Sequence, residues 1–199
     1  MLQDADALPQ LIGDYKPVDQ WQAHINRLFY RFRGDRVRSF YQTFASADYR
    51  LAHALAADYY EKVVKREKAR GKGVTGQRDS AESSSTDTPI TPLPPAATLT
   101  VMELGPGNGN LAACFLSHLK ALDKDGTVYP RIRYLLVDWE QAVLDTAMAH
   151  PALASHHDRI EMHRGTVDRL DALEAGSVDR MICNELWNDL PTKLMSRQA

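Results

Sequence analysis

The sequence predicts an α/β fold: a Rossmann-like open parallel sheet preceded by a helical segment. Three observations carry this. Apolar, β-prone runs recur around 101–104 and at 131–138, 159–163 and 178–183. Stretches with helical spacing separate the first runs. A glycine-rich turn joins the first run directly to an amphipathic helix. Strand, helix, strand, helix, strand, short helix, strand is the order of a parallel sheet with right-handed crossovers.

The first run, Val101-Met102-Glu103-Leu104, ends in Gly105-Pro106-Gly107-Asn108-Gly109. Glycines there supply positive φ and let a ligand approach the backbone closely. A dinucleotide fingerprint would read G-x-G-x-x-G. Gly105, Gly107 and Gly109 instead read G-x-G-x-G, with the acid Glu103 ahead of them. Taken alone, the turn fits a ligand cradle or an ordinary strand-to-helix connection. A helix is expected over about 109–124, closed by the turn Asp123-Lys124-Asp125-Gly126.

The second run, 131–138, is nearly continuous in apolar residues, as suits a strand buried on both faces. It ends in Asp138, about thirty positions after Gly109 rather than the roughly 20 typical of dinucleotide folds. A carboxylate at that strand end can accept from ribose hydroxyls, cap the next helix, or do both. That helix should begin near Trp139, with Val143, Leu144, Ala147 and Met148 on one face. His156 and His157 are adjacent, lack converging partners, and read as a solvated loop. In an open α/β sheet, ligands sit at the carboxyl ends of the strands. Glu103, the three glycines, Asp138, Asn184 and Glu185 are all expected on that edge.

Upstream, residues 1–70 form the helical segment. Trp21, Ile25, Leu28, Phe29 and Phe32 recur at helical spacing, as do Leu51, Leu55, Tyr59 and Val63. Asp48 is placed to cap the second helix. Arg27, Arg31, Arg33, Arg36 and Arg38 interleave with aromatics, a pattern that can bind nucleic acid. The aromatics share the apolar stripe, so a core-packed helix with a solvated basic face is the preferred reading. Residues 71–97 are rich in Ser, Thr and Pro and read as a disordered linker. Residues 98–199 are expected to form an incomplete Rossmann-like domain that carries the ligand-binding edge.

The Glu-Leu-Gly-Pro-Gly stretch at 103–107 resembles motif I of class I S-adenosylmethionine-dependent methyltransferases. Asn184-Glu185-Leu186-Trp187-Asn188-Asp189-Leu190-Pro191 is similar to the N-E-x-x-D-A-L-P signature of the MidA-like methyltransferases. These include arginine methyltransferases that assist assembly of mitochondrial respiratory complex I. The likeness spans about 98–191 and implies S-adenosylmethionine as cofactor and a protein side chain, such as arginine, as acceptor. It implies cofactor contacts at Glu103, Gly105, Gly107, Gly109 and Asp138, with Asp168 as a displaced adenine-side acid. Asn184 and Glu185 become the substrate-side, catalytic candidates, and no metal is implied. The family aspartate falls on Asn188 here, which keeps open a non-catalytic cofactor-binding or assembly role.

The complete methyltransferase fold has seven strands, and four are found before Ala199. The chain is therefore expected to be a fragment or a truncated form, weakly active alone and able to self-associate through a bare sheet edge. With 199 residues and a formal net charge of −2, a general polyanion binder is disfavoured. No run is long enough to span a bilayer. Cys114 and Cys183 lack metal-ligand spacing and read as small buried hydrophobes. The expected compartment is the cytoplasm, or the mitochondrion if the MidA-like resemblance holds in a eukaryote.

Overall fold

A computed structural model describes residues 17–33, 44–75, 97–167, 169–170, 173–186 and 190. The chain divides into two compact units: Met1–Tyr41 with Glu185–Ala199, and Gln42–Asn184. Most of the 71–97 linker, and Asp168, Trp187, Asn188 and Asp189, lie outside the described residues.

In the first unit, helix α1 spans Val18–Arg33. The Trp21 N–H donates to the Pro17 carbonyl at 2.9 Å, closing its first turn. Along its apolar stripe Trp21 and Leu28 are half-buried, while Ile25 and Phe29 stand 47% and 45% exposed.

The second unit contains a short helix α2 (Phe44–Ala47) and a long helix α3 (Arg50–Thr75). It continues with β1 (Leu99–Leu104), α4 (Asn110–Leu122), β2 (Ile132–Asp138), α5 (Gln141–Met148), β3 (Ile160–Arg164) and β4 (Arg180–Cys183). Two 3-10 segments, Tyr129–Arg131 and Pro151–Arg159, precede β2 and β3. The sheet order is β3-β2-β1-β4, and every pairing is parallel. The fold is thus α/β, as the alternation of runs predicts.

Asp48 starts α3 as expected, its Oδ1 accepting from the Arg50 N–H at 2.7 Å. The helix runs five residues past the expected end at 70. It packs against α4 rather than forming a body of its own with α1. Its buried line is Ala52, Ala56, Tyr59 and Val63, with Leu51 and Leu55 only partly buried beside it. Small residues on the contact line let two helices approach closely, which shifts the stripe away from the leucines. Tyr59 then meets Phe115 of α4 with ring centroids 6.0 Å apart. Ion pairs from α3 to the sheet accompany this packing: Asp58 with Arg180, Arg66 with Asp179, and Glu67 with Arg131. These pairs are partly exposed and contribute geometry more than stability.

The expected turn after α4 is built around one carboxylate. Asp123 accepts from the backbone N–H groups of Thr127, Val128 and Tyr129 at 3.1, 2.9 and 2.7 Å. β4 is shorter than the expected 178–183, and just before it the Asp179 side chain bonds to β1 in place of a backbone acceptor. The Asp179 N–H donates to the Thr100 carbonyl, and its Oδ2 accepts from the Thr100 N–H at 2.9 Å.

His156 corrects the sequence reading. It is 2% exposed, with Nε2 3.1 Å from Ser117 Oγ and Nδ1 2.6 Å from Tyr129 Oη. Residues three apart eclipse on a 3-10 helix, so His156 follows the core residue Leu153 inward while His157 stays exposed. Burial holds its pKa below the usual histidine value, favouring the neutral ring. Replacing it by leucine strands two hydrogen-bonding partners and should cost about 2 kcal/mol in urea unfolding. A loss below about 0.5 kcal/mol would show the network to be energetically idle.

Candidate cofactor-binding site

The carboxyl ends of the strands gather the predicted residues because the register is parallel throughout. Leu104 of β1 pairs with Val137 of β2 and Cys183 of β4, and Asp138 pairs with Arg164 of β3. Gly105, Asp138 and Asn184 therefore stand on one edge of the sheet. Glu185 follows Asn184 in sequence and belongs to the other unit.

The turn from β1 into α4 is closed by its own backbone. The Gly105 N–H donates to the Val137 carbonyl, and the Gly109 N–H to the Pro106 carbonyl, both at 2.9 Å. Asn108 Oδ1 accepts from the Asn110 N–H at 3.1 Å, where α4 begins. Two glycines in this turn have different reasons to be glycine. Gly109 has φ +80°, and a Cβ there would lie 2.5 Å from the Ala147 carbonyl oxygen on α5. Gly107 has φ +55°, and its Cβ would meet nothing within 4 Å. Gly109 thus serves internal packing, while Gly107 faces open space beside the strand edge. A ligand can reach the backbone at Gly107.

Asp138 lies two residues before the α5 N-cap, Glu140, and ties the approach to the helix rather than capping it. Its Oδ1 accepts from the Glu140 N–H at 2.9 Å, and its carbonyl accepts from the Gly165 N–H at 2.9 Å. Burial raises its pKa to about 6, against the lowering from the Glu140 and Trp139 backbone N–H groups. At neutral pH it is an ionised acceptor at the carboxyl end of β2.

Glu103 is 4% exposed and points into the core, where its Oε2 accepts from Tyr134 Oη at 2.8 Å. Burial raises its pKa to about 8, outweighing the lowering from the tyrosine hydrogen bond. The carboxyl is therefore neutral at pH 7, and its observed partner is a side chain of the next strand. Tyr134 was not singled out by the sequence, since its link to Glu103 crosses two strands.

Asn184 is half-buried just beyond β4. Glu185 is exposed and carries φ 54°, the positive-φ non-glycine residue among those described. A glutamate in the left-handed region is uncommon and costs about 1–2 kcal/mol. Cys114 and Cys183 are reduced cysteines, half-buried rather than fully enclosed. Cys114 donates to Asn110 Oδ1 at 3.6 Å. Among the described residues no His, Cys, Asp and Glu cluster of three or more is placed to hold a metal, and no helix is long and apolar enough to cross a membrane.

A parallel sheet whose carboxyl edge carries a three-glycine turn and an acid on the neighbouring strand defines the nucleoside-cofactor class of α/β proteins. Residues 89–199 match the family described as "Putative S-adenosyl-L-methionine-dependent methyltransferase", and the chain belongs to that family. The family's cofactor is S-adenosyl-L-methionine. The chain is also similar to a crystal structure of an uncharacterized ACR superfamily protein from Burkholderia thailandensis. The two are 18% identical with a TM-score of 0.34. That match covers 79% of this chain and 39% of the other, so the chain spans well under half the length of that relative. A comparison with curated proteins finds no match.

The residues present fit the cofactor. Gly107 leaves room at the turn, and Asp138 on the same strand edge is a carboxylate able to accept from hydroxyl groups.

Proposed function

We propose that this chain forms the cofactor half of an S-adenosylmethionine-dependent methyltransferase acting on a protein side chain, with arginine as the acceptor. The observation that carries this reading is the open space at Gly107 beside the ionisable Asp138 on one strand edge. Bound there, S-adenosylmethionine supplies a methyl group already activated on a sulfonium. The protein then contributes mainly proximity and orientation. The Gly107 backbone admits the cofactor, and Asp138 accepts from its ribose hydroxyls. In the motif Asn184 and Glu185 are the substrate-side candidates, and a carboxylate such as that of Glu185 suits a guanidinium, whose forked donors match two oxygens. The positive φ of Glu185 supports this role, since strained residues cluster where function holds them.

Calorimetric titrations with S-adenosylhomocysteine and NADH test the cofactor. Tighter NADH binding would overturn the reading. Transfer of labelled methyl groups into a protein lysate tests the reaction, with loss expected in Glu185→Ala. Asn188, standing where the related signature has aspartate, favours a second reading as a cofactor-binding assembly factor without turnover. Cofactor binding without any labelled product would select it.

Asp138 gives a pH-dependent prediction. Ribose hydroxyls donate to the carboxylate, so binding needs the ionised form. With the pKa raised to about 6, S-adenosylhomocysteine affinity should be flat from pH 8 to 7 and fall as pH drops through 6. Asp138→Asn should weaken binding by roughly 10- to 100-fold at pH 7.5, the worth of hydrogen bonds to a charged acceptor. It should also flatten the pH profile. An unchanged profile in the variant would remove Asp138 from the site.

A further inference from the structure

Asn110, the first residue of α4, reaches away from the glycine turn to a distant part of the chain. Its Nδ2 donates to the Ala45 carbonyl at 2.8 Å and to the Asp48 carbonyl at 3.1 Å. Its Oδ1 accepts from the Cys114 thiol at 3.6 Å, and its backbone N–H donates to Asn108 Oδ1. The two carbonyls belong to the junction between α2 and α3, at the helix end where backbone acceptors lack intrahelical partners. One side-chain amide satisfies both. The junction is itself well defined: Ala45 is 6% exposed, and the Asp48 side chain accepts from the Arg50 N–H.

On its other side the turn lies so close to α5 that a Cβ at Gly109 would fall 2.5 Å from the Ala147 carbonyl oxygen. The glycine turn is thus braced between α5 and the α2–α3 junction, leaving Gly107 facing open space. The junction lies outside the matched stretch 89–199.

We propose that Asn110 is a positioning residue that couples the α2–α3 junction to the glycine turn, so that docking of this junction sets cofactor affinity. The proposal rests on the reading of the turn as an S-adenosylmethionine site. Asn110 acts through the backbone of residues 105–109 and not by touching the cofactor. A tether that served stability alone would change unfolding without changing the turn.

The test uses the full chain with Asn110→Asp and Asn110→Ser. Aspartate keeps the shape but turns a carboxylate toward two carbonyls, whereas serine keeps a single shorter donor. His156→Leu is the control, destabilised by loss of a different network. Calorimetry with S-adenosylhomocysteine should show Kd raised about 10-fold in Asn110→Asp, the equivalent of losing roughly one net hydrogen bond. The serine variant should fall between it and the wild type, and the control should keep the wild-type Kd. Hydrogen exchange without ligand should rise at 44–50 and 105–109 in the Asn110 variants, above the change elsewhere in the chain. A wild-type Kd in Asn110→Asp, or an equal loss in His156→Leu, overturns the coupling. So does exchange that rises only uniformly. Should the wild type itself fail to bind S-adenosylhomocysteine, the cofactor reading fails. The exchange comparison then decides by itself whether Asn110 holds the turn.

Discussion

Gly109→Ala is expected to destabilise the sheet unit by about 3 kcal/mol, while Gly107→Ala costs only about 1 kcal/mol yet loses the cofactor. The two glycines share a left-handed backbone, so each substitution carries the strain of a Cβ at positive φ. They differ in what that Cβ meets. At Gly109 it would sit 2.5 Å from the Ala147 carbonyl oxygen and 3.0 Å from its Cα, both backbone atoms that cannot rotate away. Relief requires α5 to move off the turn, and overpacking of this kind adds about 1–3 kcal/mol. At Gly107 nothing lies within 4 Å, so the methyl enters the space the cofactor is proposed to fill. Urea unfolding and S-adenosylhomocysteine titration of both variants separate the two roles. If Gly107→Ala binds like the wild type, the cradle is not at Gly107. If Gly109→Ala is no less stable than Gly107→Ala, the contact with α5 is not limiting.

This division of labour explains what the sequence could say about the site. The spacing Gly105, Gly107, Gly109 announces a turn with special backbone geometry, and Asp138 follows at the end of the next apolar run. Both are local signals, and both land on the same edge because parallel pairing forces them there. That Gly109 serves α5 was not legible, since Ala147 lies a strand and a helix away. Asn110 was overlooked for the same reason. Its partners Ala45 and Asp48 are more than sixty positions earlier, and an asparagine opening a helix carries no sign of them. Asp168 gave a positional expectation on which the described residues are silent.

The fold was more readable than its edges. Apolar runs located every strand of the sheet, yet the ends moved by one or two residues where a side chain captured the backbone. Asp179 is such a case, its carboxylate accepting the Thr100 N–H just before β4 begins. Periodicity placed the stripe of α3 on Leu51, Leu55, Tyr59 and Val63; Tyr59 and Val63 are buried, but Ala52 and Ala56 are buried where the two leucines were expected. A hydrophobicity pattern counts apolar mass, whereas close helix packing is decided by where the small residues fall. His156 shows the remaining gap. A 3-10 helix has period three, so a pattern judged against helix and strand periods leaves a buried histidine looking like loop.

The unfolding stability of the wild type should fall as pH rises from about 5 to 8, and Glu103→Gln should remove most of that slope. Glu103 has a folded pKa near 8 against a reference value of 4.5. Between those values the folded chain keeps a proton that the unfolded chain has released. The folded state therefore binds more protons, and stability decreases with rising pH until the folded group also ionises. The direction is opposite to that of a salt-bridged carboxylate, because burial dominates here and no cation faces the group among the causes of its shift. Glutamine keeps an oxygen to accept from Tyr134 and has no proton to lose. The variant should match the wild type near pH 5 and exceed it at pH 8 by a few kcal/mol, about 3 as an order of magnitude. Tyr134→Phe should act in the reverse sense, removing the hydroxyl that eases the charged form and steepening the decline. Thermal or urea unfolding of the three proteins across pH 5–8 reads this directly. Parallel slopes for wild type and Glu103→Gln would mean that the core carboxyl is not the titrating group. A residue taken from sequence as a cofactor contact then has a second, measurable role as a neutral acid in the core behind the glycine turn.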